Sequence, residues 1–162
     1  MLDEFDREIL QIVQRDNRLT NAEIGERVGL SPSAVRRRLA ALRESGTIRG
    51  DVSLVDPDKH LTTIVVLIRF HYESVEADRE FRKQMEEAPE VTQCYSVAGG
   101  VDYVLIVQVP DKATYEAWGQ RALMSNAAIR RYDSHIVWSR VKFTTAVPVE
   151  LMAAPDSGDG SD

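Results

Sequence analysis

The sequence predicts an α+β chain of two domains: an N-terminal winged helix-turn-helix of three helices, then a C-terminal ferredoxin-like βαββαβ domain. Three observations predict it. Residues 20–45 hold two helix starts with a glycine between them. Beyond residue 62 the apolar period changes from helical to alternating. That second region then delivers strand and helix signals in the order β-α-β-β-α-β.

The first helix is read from Phe5, Ile9, Ile12 and Val13, which recur at helical spacing over residues 3–15. Thr20 and Glu23 form a capping box, hydroxyl to amide one way and carboxylate to amide the other, so a second helix starts there. Ile24 and Val28 give it one apolar face, and Gly29 ends it because a glycine takes positive φ without a Cβ clash. Ser31 then offers a new N-cap, with Pro32 at the first helical position, where its missing N–H costs nothing.

On a wheel of about 100° per residue, Val35, Leu39 and Leu42 of this third helix cluster within about 60°, the side that faces the domain. Ser33 and Arg37 project directly away from that stripe, Arg36 and Arg43 lie on one rim, and Arg38 lies on the other flank. Arginine's planar fork suits guanine edges and phosphates alike, and a helix N-terminus adds free amides and a partial positive charge for a phosphate. A charge run alone is usually a solvated face; the two caps and the glycine turn make this one a DNA-reading face. The expected DNA contacts are Ser31, Ser33, Arg36, Arg37, Arg38 and Arg43, with Arg38 a flank or phosphate contact, and the partner is double-stranded DNA. Thr47 to Val55 is β-prone and reads as a strand or wing, closed by Asp56-Pro57-Asp58.

In the second region Ile64, Val66, Ile68 and Phe70 alternate along a strand. Ala77, Phe81, Met85 and Ala88 share a helical face that stops at Pro89. Val91 to Val97 alternates again, Gly99-Gly100 turns the chain, and Tyr103 to Val109 is a strong strand. Asp111 caps a helix that carries Tyr115, Trp118 and Ala122 inward, and a last strand is expected from about Arg131 to Phe143. Such a sheet has helices on one side only, so the other face needs cover, most simply from a second copy. The expected boundaries are 1–50 for the helix-turn-helix, 51–61 for a linker, 62–150 for the ferredoxin-like domain and 151–162 for a disordered acidic tail.

The chain of 162 residues carries a formal net charge of −6, which at first argues against DNA. The charge is unevenly placed. Residues 1–50 hold 9 basic and 8 acidic side chains, every basic one an arginine, against 11 and 18 in the remainder. An acidic remainder discourages non-specific adhesion to DNA and leaves the arginine face as the contact. A single cysteine, Cys94, excludes an intrachain disulfide and a multi-cysteine zinc site, and it reads as a small core hydrophobe. His60, His71 and His135 are too scattered for a metal site, so no metal or cofactor is expected. Trp118 and Trp138 read as packing residues, Trp138 as one that a subunit interface can cover. Ile64 to Ile68 is the longest aliphatic run, far short of a membrane span, and the start alternates charged with apolar residues; a soluble cytoplasmic protein is expected.

The arrangement resembles the Lrp/AsnC, or feast/famine, family of transcriptional regulators. The resemblance spans nearly the whole chain to about residue 150. It rests on Leu2-Asp3, Asp6 and Ile9-Leu10, on Arg18-Leu19-Thr20, on Gly29 to Val35, on Arg38, Leu42, Gly46, Ile48 and Gly50, and on Cys94-Tyr95, Val97-Ala98-Gly99 and Asp102-Tyr103. It implies a homodimer assembling to a tetramer or octamer, and a C-terminal domain that binds a small effector, commonly an amino acid. The implied effector residues are Gly99, Gly100, Asp102, Tyr103 and Ser134. On physical grounds two readings of the glycine loop stand side by side. Freed amides with the Asp102 carboxylate suit a zwitterion, and equally a tight turn uses glycines for positive φ and an aspartate for local backbone bonds. The chain departs from the family at Ser125 to Ile129, where a leucine-proline-glycine-valine turn is common, and at Tyr132, where threonine is common. Siroheme decarboxylases resemble the same two-domain architecture, and an enzyme of that kind would enlist His135, Arg130 and Arg131. The outward arginines of the third helix argue for DNA and against that role.

Overall fold

The helix starts read from side-chain chemistry form as expected in the computed structural model, which describes residues 2–71 and 74–152. Helix α1 spans Glu4–Val13, α2 Asn21–Val28 and α3 Pro32–Glu44. Thr20 and Glu23 close their reciprocal capping box, Ser31 caps α3 with Pro32 in its first turn, and Gly29 takes φ 70° between α2 and α3. Asp3 and Asp6 build a second capping box at α1. A Cβ on Gly25 would stand 2.4 Å from the Leu30 carbonyl oxygen, so the turn can approach α2 closely only over a glycine. Ile9, Leu10, Ile24, Val28, Val35, Leu39 and Leu42 form the buried core of this unit.

Residues 47–55, expected to form a strand or wing, carry no strand. A strand needs a neighbour, and no strand lies among the described residues of this unit. The segment caps α3 instead: Gly46, at φ 72°, donates to the Arg43 carbonyl at 3.0 Å, and the Ile48 amide donates to that of Leu42 at 2.9 Å.

The second unit, Val55–Val141, holds β1 (Thr62–Phe70), α4 (Val75–Glu87), β2 (Val91–Ser96), β3 (Tyr103–Val109), α5 (Lys112–Gly119, continued by a π-helical turn Gln120–Met124) and β4 (Ile129–Ile136). The sheet order β2-β3-β1-β4, antiparallel throughout, is the ferredoxin-like arrangement. Ile64, Val66 and Ile68 of β1 and Tyr103, Leu105, Val107 and Val109 of β3 face the helices and pack on Phe81, Met85, Trp118 and Leu123. Alternate residues Val65, Leu67, Val104, Ile106 and Tyr95 lie on the opposite face, which no helix of this unit covers. Strand β4 stops at Ile136 and not near Phe143. The Val137 amide still reaches the Thr63 carbonyl at 2.9 Å, but β1 begins at Thr62 and offers nothing further to pair with.

Residues 142–152 group with residues 2–54 and not with the ferredoxin-like domain to which the 62–150 boundary assigns most of them. Val149 is 2% exposed within the helix-turn-helix core. The Gln14 amide side chain brackets Val147, donating to its carbonyl at 3.2 Å and accepting from its amide at 2.5 Å. A buried valine and a doubly bonded backbone make this segment part of the first unit. The tail expected to be disordered from residue 151 lies, after Met152, outside the described residues.

Cys94 is exposed, not core. Its register opposite Leu105 puts it on the helix side, yet β2 is an edge strand with only its first residue partly buried. Desolvation, the largest effect on its thiol, raises the pKa, the opposite of an activated thiolate. Trp118 packs in the core as expected, whereas Trp138 is 96% exposed.

Candidate functional site

Helix α3 presents the expected outward face. Ser31, Ser33, Arg36, Arg37 and Arg43 are all exposed, opposite the buried Val35, Leu39 and Leu42. The Ser31 hydroxyl accepts from the Ala34 amide at 3.3 Å and lies 3.1 Å from that of Ser33, so the two hydroxyls sit together at the positive end of a 13-residue helix. Among the described residues neither Arg36 nor Arg37 has a carboxylate within ion-pairing distance, which leaves both guanidinium groups available to an external anion or base edge. Arg43 pairs with Asp51 at 3.1 Å with both side chains about half exposed, a surface bridge that phosphate can readily replace.

Arg38 is placed differently from the flank or phosphate contact expected of it. Its Nη1 lies 2.7 Å from Asp3 and 2.8 Å from Asp6, and its guanidinium sits 5.4 Å from the Phe5 ring centroid. The capping box of α1 aligns the two carboxylates, and Arg38 joins that helix start to α3. The Asp3 carboxyl is held below its usual range, first by the Asp6 amide and also by Arg38. The sign follows from the depression: this contribution to stability is present above the ordinary aspartate range and fades as pH falls through the lowered value. Arg38→Ala is therefore expected to lower the melting temperature of the free protein. A pure phosphate contact would leave free-protein melting unchanged and weaken DNA binding alone.

The glycine loop is clamped. Gly99 takes φ 132°, the Asp102 amide donates to the Ile68 carbonyl at 2.8 Å, and the Asp102 carboxylate accepts from the Phe70 amide at 2.7 Å. Asp102 thus performs the backbone-bonding role, although towards the end of β1 and not within its own turn. Arg69 adds a second tie, donating to the Gly100 carbonyl at 2.6 Å while pairing with Asp133 at 3.1 Å. Asp133 also binds Arg131 at 2.8 Å, within the chain, and these arginines, Arg131 first, hold its carboxyl low. An open cleft of about 700 Å3 adjoins this loop, lined by Phe70, His71, Ser74, Asp78, Asp102 and Tyr103 among others.

Of the expected effector residues Asp102 and Tyr103 line it, whereas Gly99, Gly100 and Ser134 do not. Tyr103 is 2% exposed, its hydroxyl donating to Asp78, which also pairs with Arg82 at 2.7 Å. Desolvation, then the Asp78 hydrogen bond, push its phenol up to about 12. A pKa raised in the fold means stability that is intact below pH 10 and lost as pH rises towards 12. Alkaline unfolding of this unit is expected over that interval, with a smaller pH dependence in Tyr103→Phe, followed by circular dichroism. Ser134 belongs elsewhere: its hydroxyl hydrogen-bonds that of Tyr115 in a separate cavity of about 370 Å3. Strand register explains the split, since Ser134 pairs with Val66, well along β1 from the Phe70 end that meets the loop. Tyr115 and Asp78 were not singled out as site residues. Tyr115 reads from the sequence as an inward aromatic and Asp78 carries no local signal, and only the folded sheet brings hydroxyl groups to them.

A helix-turn-helix with an exposed arginine face, joined to an α+β domain that carries a cleft, defines a two-domain DNA-binding transcriptional regulator. The comparisons with known proteins make the class specific. The family profile described as winged helix-turn-helix DNA-binding matches residues 2–49, and that of the Lrp/AsnC ligand binding domain matches residues 63–147. The chain is 38% identical over 152 residues to the HTH-type transcriptional regulator y4tD of Sinorhizobium fredii, covering 93% of this chain and 90% of that one. Its structure is similar to that of an AsnC family transcriptional regulator from Agrobacterium tumefaciens, at a TM-score of 0.87 and 38% identity over 94% of this chain and 100% of that one. It is similar too to the regulator NMB0573 of Neisseria meningitidis in complex with L-Met, at a TM-score of 0.87, 30% identity and the same coverage. The chain belongs to the Lrp/AsnC family of transcriptional regulators.

Proposed function

We propose that this regulator works as a homo-oligomer, at least a dimer, that sets two α3 helices into successive major grooves of a pseudo-palindromic double-stranded DNA site. The observation that carries this reading is the exposed, unpaired pair Arg36 and Arg37 on the face of α3 opposite its buried stripe. Ser33 and Arg37 read bases, Arg36 and Arg43 reach the rim, and the Ser31 end of the helix takes a phosphate. Selection of bound fragments from a random genomic pool tests it, and recovery of a two-half-site motif is the expected result.

The glycine-loop cleft is the effector site in this reading, and an amino acid is its ligand class. The L-Met complex of the related Neisseria regulator supports the class. Asp102 has one carboxylate oxygen on the Phe70 amide, and the other, with no partner among the described residues, can take an ammonium group. Calorimetric titration with the common amino acids tests this, and heat from none of them overturns it.

Self-association rests on the open sheet face, where Val65, Leu67, Val104, Ile106 and Tyr95 form an apolar patch beside the Arg69–Asp133–Arg131 cluster. Trp138 and Val141, each 96% exposed, add apolar surface that association would cover. Tetramers or octamers follow from pairing of such dimers.

The regulator reading stands ahead of a decarboxylase-like enzyme. Arg131 is drawn to Asp133, which ties up a guanidinium that such an enzyme would enlist, and Arg130 falls in the register break of β4, outside the regular pairing that sets Arg131 and His135. No helix among the described residues is long and apolar enough to cross a membrane, in keeping with action on DNA in the cytoplasm.

A further inference from the structure

The glycine-loop cleft is unevenly charged. The lining side chains that can carry charge are Asp78, Asp102 and His71, and among the described residues no lysine or arginine lines it. Two guanidinium groups beside these residues are already engaged. Arg82 pairs with Asp78 at 2.7 Å and stands 5.6 Å from the Tyr103 ring centroid. Arg69 donates to the Gly100 carbonyl at 2.6 Å and pairs with Asp133 at 3.1 Å. Asp78 keeps its charge, because the Tyr103 hydroxyl, and then Arg82, hold its carboxyl below the usual aspartate range. Asp102 gives one oxygen to the Phe70 amide and has no cation on it among the described residues. The surrounding field has the same sign, since residues 51–162 hold 11 basic and 18 acidic side chains.

An amino acid brings charges of its own. With His71 neutral, a ligand with an uncharged side chain adds its carboxylate to those of Asp78 and Asp102, and its ammonium to the guanidinium of Arg82. One negative charge is then left over. A second cationic group on the ligand closes that excess, whereas an acidic side chain doubles it. Resting on the reading of this cleft as the effector site, we propose that it selects amino acids with a second cationic group, the lysine and arginine class, over neutral and acidic ones. The α-ammonium takes the outer oxygen of Asp102. The distal cation goes to Asp78, whose oxygens each keep a further lone pair beyond the bonds to Tyr103 and Arg82. The exposed Ser96 hydroxyl, on the same lining, donates to the α-carboxylate. A cleft of about 700 Å3 has room for a side chain of that length. One such ion pair near a protein surface changes affinity by about fivefold to tenfold.

The experiment is calorimetric titration of the full chain at about pH 8, where an ordinary imidazole is neutral, with L-lysine, L-arginine, L-norleucine, L-methionine and L-glutamate. Norleucine keeps the carbon chain of lysine and lacks only its distal ammonium group. Lysine or arginine is expected to bind about fivefold to tenfold tighter than norleucine, with glutamate weakest. The gap between lysine and norleucine should shrink as salt is raised, because screening weakens an ion pair and not an apolar contact. Asp78→Asn, checked for folding by circular dichroism, should narrow the same gap. Both ligands are compared on one variant, so a general loosening of the cleft does not mimic that result, and the salt series on the wild type stands without the variant. Norleucine or methionine binding as tightly as lysine, glutamate binding tightest, or a gap unchanged by Asp78→Asn would overturn the selectivity and leave the cleft an amino-acid site. Heat from none of the common amino acids would remove the effector site itself, and the selectivity with it.

Discussion

Arg37→Ala is expected to lose about 1–3 kcal/mol of binding to the preferred DNA site, with little change on unrelated sequence, because its side chain is exposed on the outward face of α3. That corresponds to a drop in affinity of roughly 5- to 150-fold and a relaxed preference at one base position. Fluorescence anisotropy on matched and scrambled duplexes at several salt concentrations checks it. If Arg37 holds a phosphate instead, both duplexes weaken alike and the salt slope falls by about one. Unchanged affinity and slope would show that this face does not meet DNA. The folded state should be untouched, since Arg37 has no ion-pair partner among the described residues, in contrast to Arg38.

Val149→Asp should disable the same reading head from within. Val149 is buried among Ile9, Leu10, Ile24, Val28, Val35, Leu39 and Leu42, and a carboxylate placed there enters an apolar cluster. Burying an unpaired charge ranks among the most costly single substitutions, at about 4 kcal/mol or more. A unit this small rarely holds that much in reserve. The expected outcome is an early-melting DNA-binding unit, loss of all DNA affinity, specific and non-specific, and near-native melting of residues 55–141. Differential scanning calorimetry with a duplex-binding assay reads both. A single unchanged transition would mean that residues 142–152 are not integral to the first unit.

Local chemistry made most of the first unit readable. The Thr20–Glu23 box, the Ser31-Pro32 start and Gly29 act within a few residues, and each holds in the structure. The Val35, Leu39 and Leu42 stripe sufficed to orient α3, so Arg36 and Arg37 were placed correctly. Arg38 was not, because its partners Asp3 and Asp6 lie more than thirty positions away and only packing of α1 on α3 brings them close. The same distance hid the C-terminal segment: nothing near Val149 says that its apolar partner is the first helix. In the second domain, alternation recovered the strands and their order but not their lateral neighbours. Whether Cys94 is covered depends on β2 being an edge strand, and whether Ser134 meets the glycine loop depends on β4 register, neither of which is encoded locally. The β-prone Thr47 to Val55 segment shows propensity yielding to context, since a strand without a partner strand has no ladder to join.

The surface proposed to read DNA is the outward face of α3, with Arg36 and Arg37 as its principal cations. The most direct test is the salt dependence of affinity for the selected duplex, measured side by side for the wild type and for Arg36→Ala/Arg37→Ala. Tight, salt-sensitive binding by the wild type is expected. The double variant should melt at the same temperature and lose its preference for the selected duplex. Its log–log salt slope should be shallower by about one for each of the two arginines that contacts phosphate. Equal affinity, slope and preference for the two proteins would contradict it.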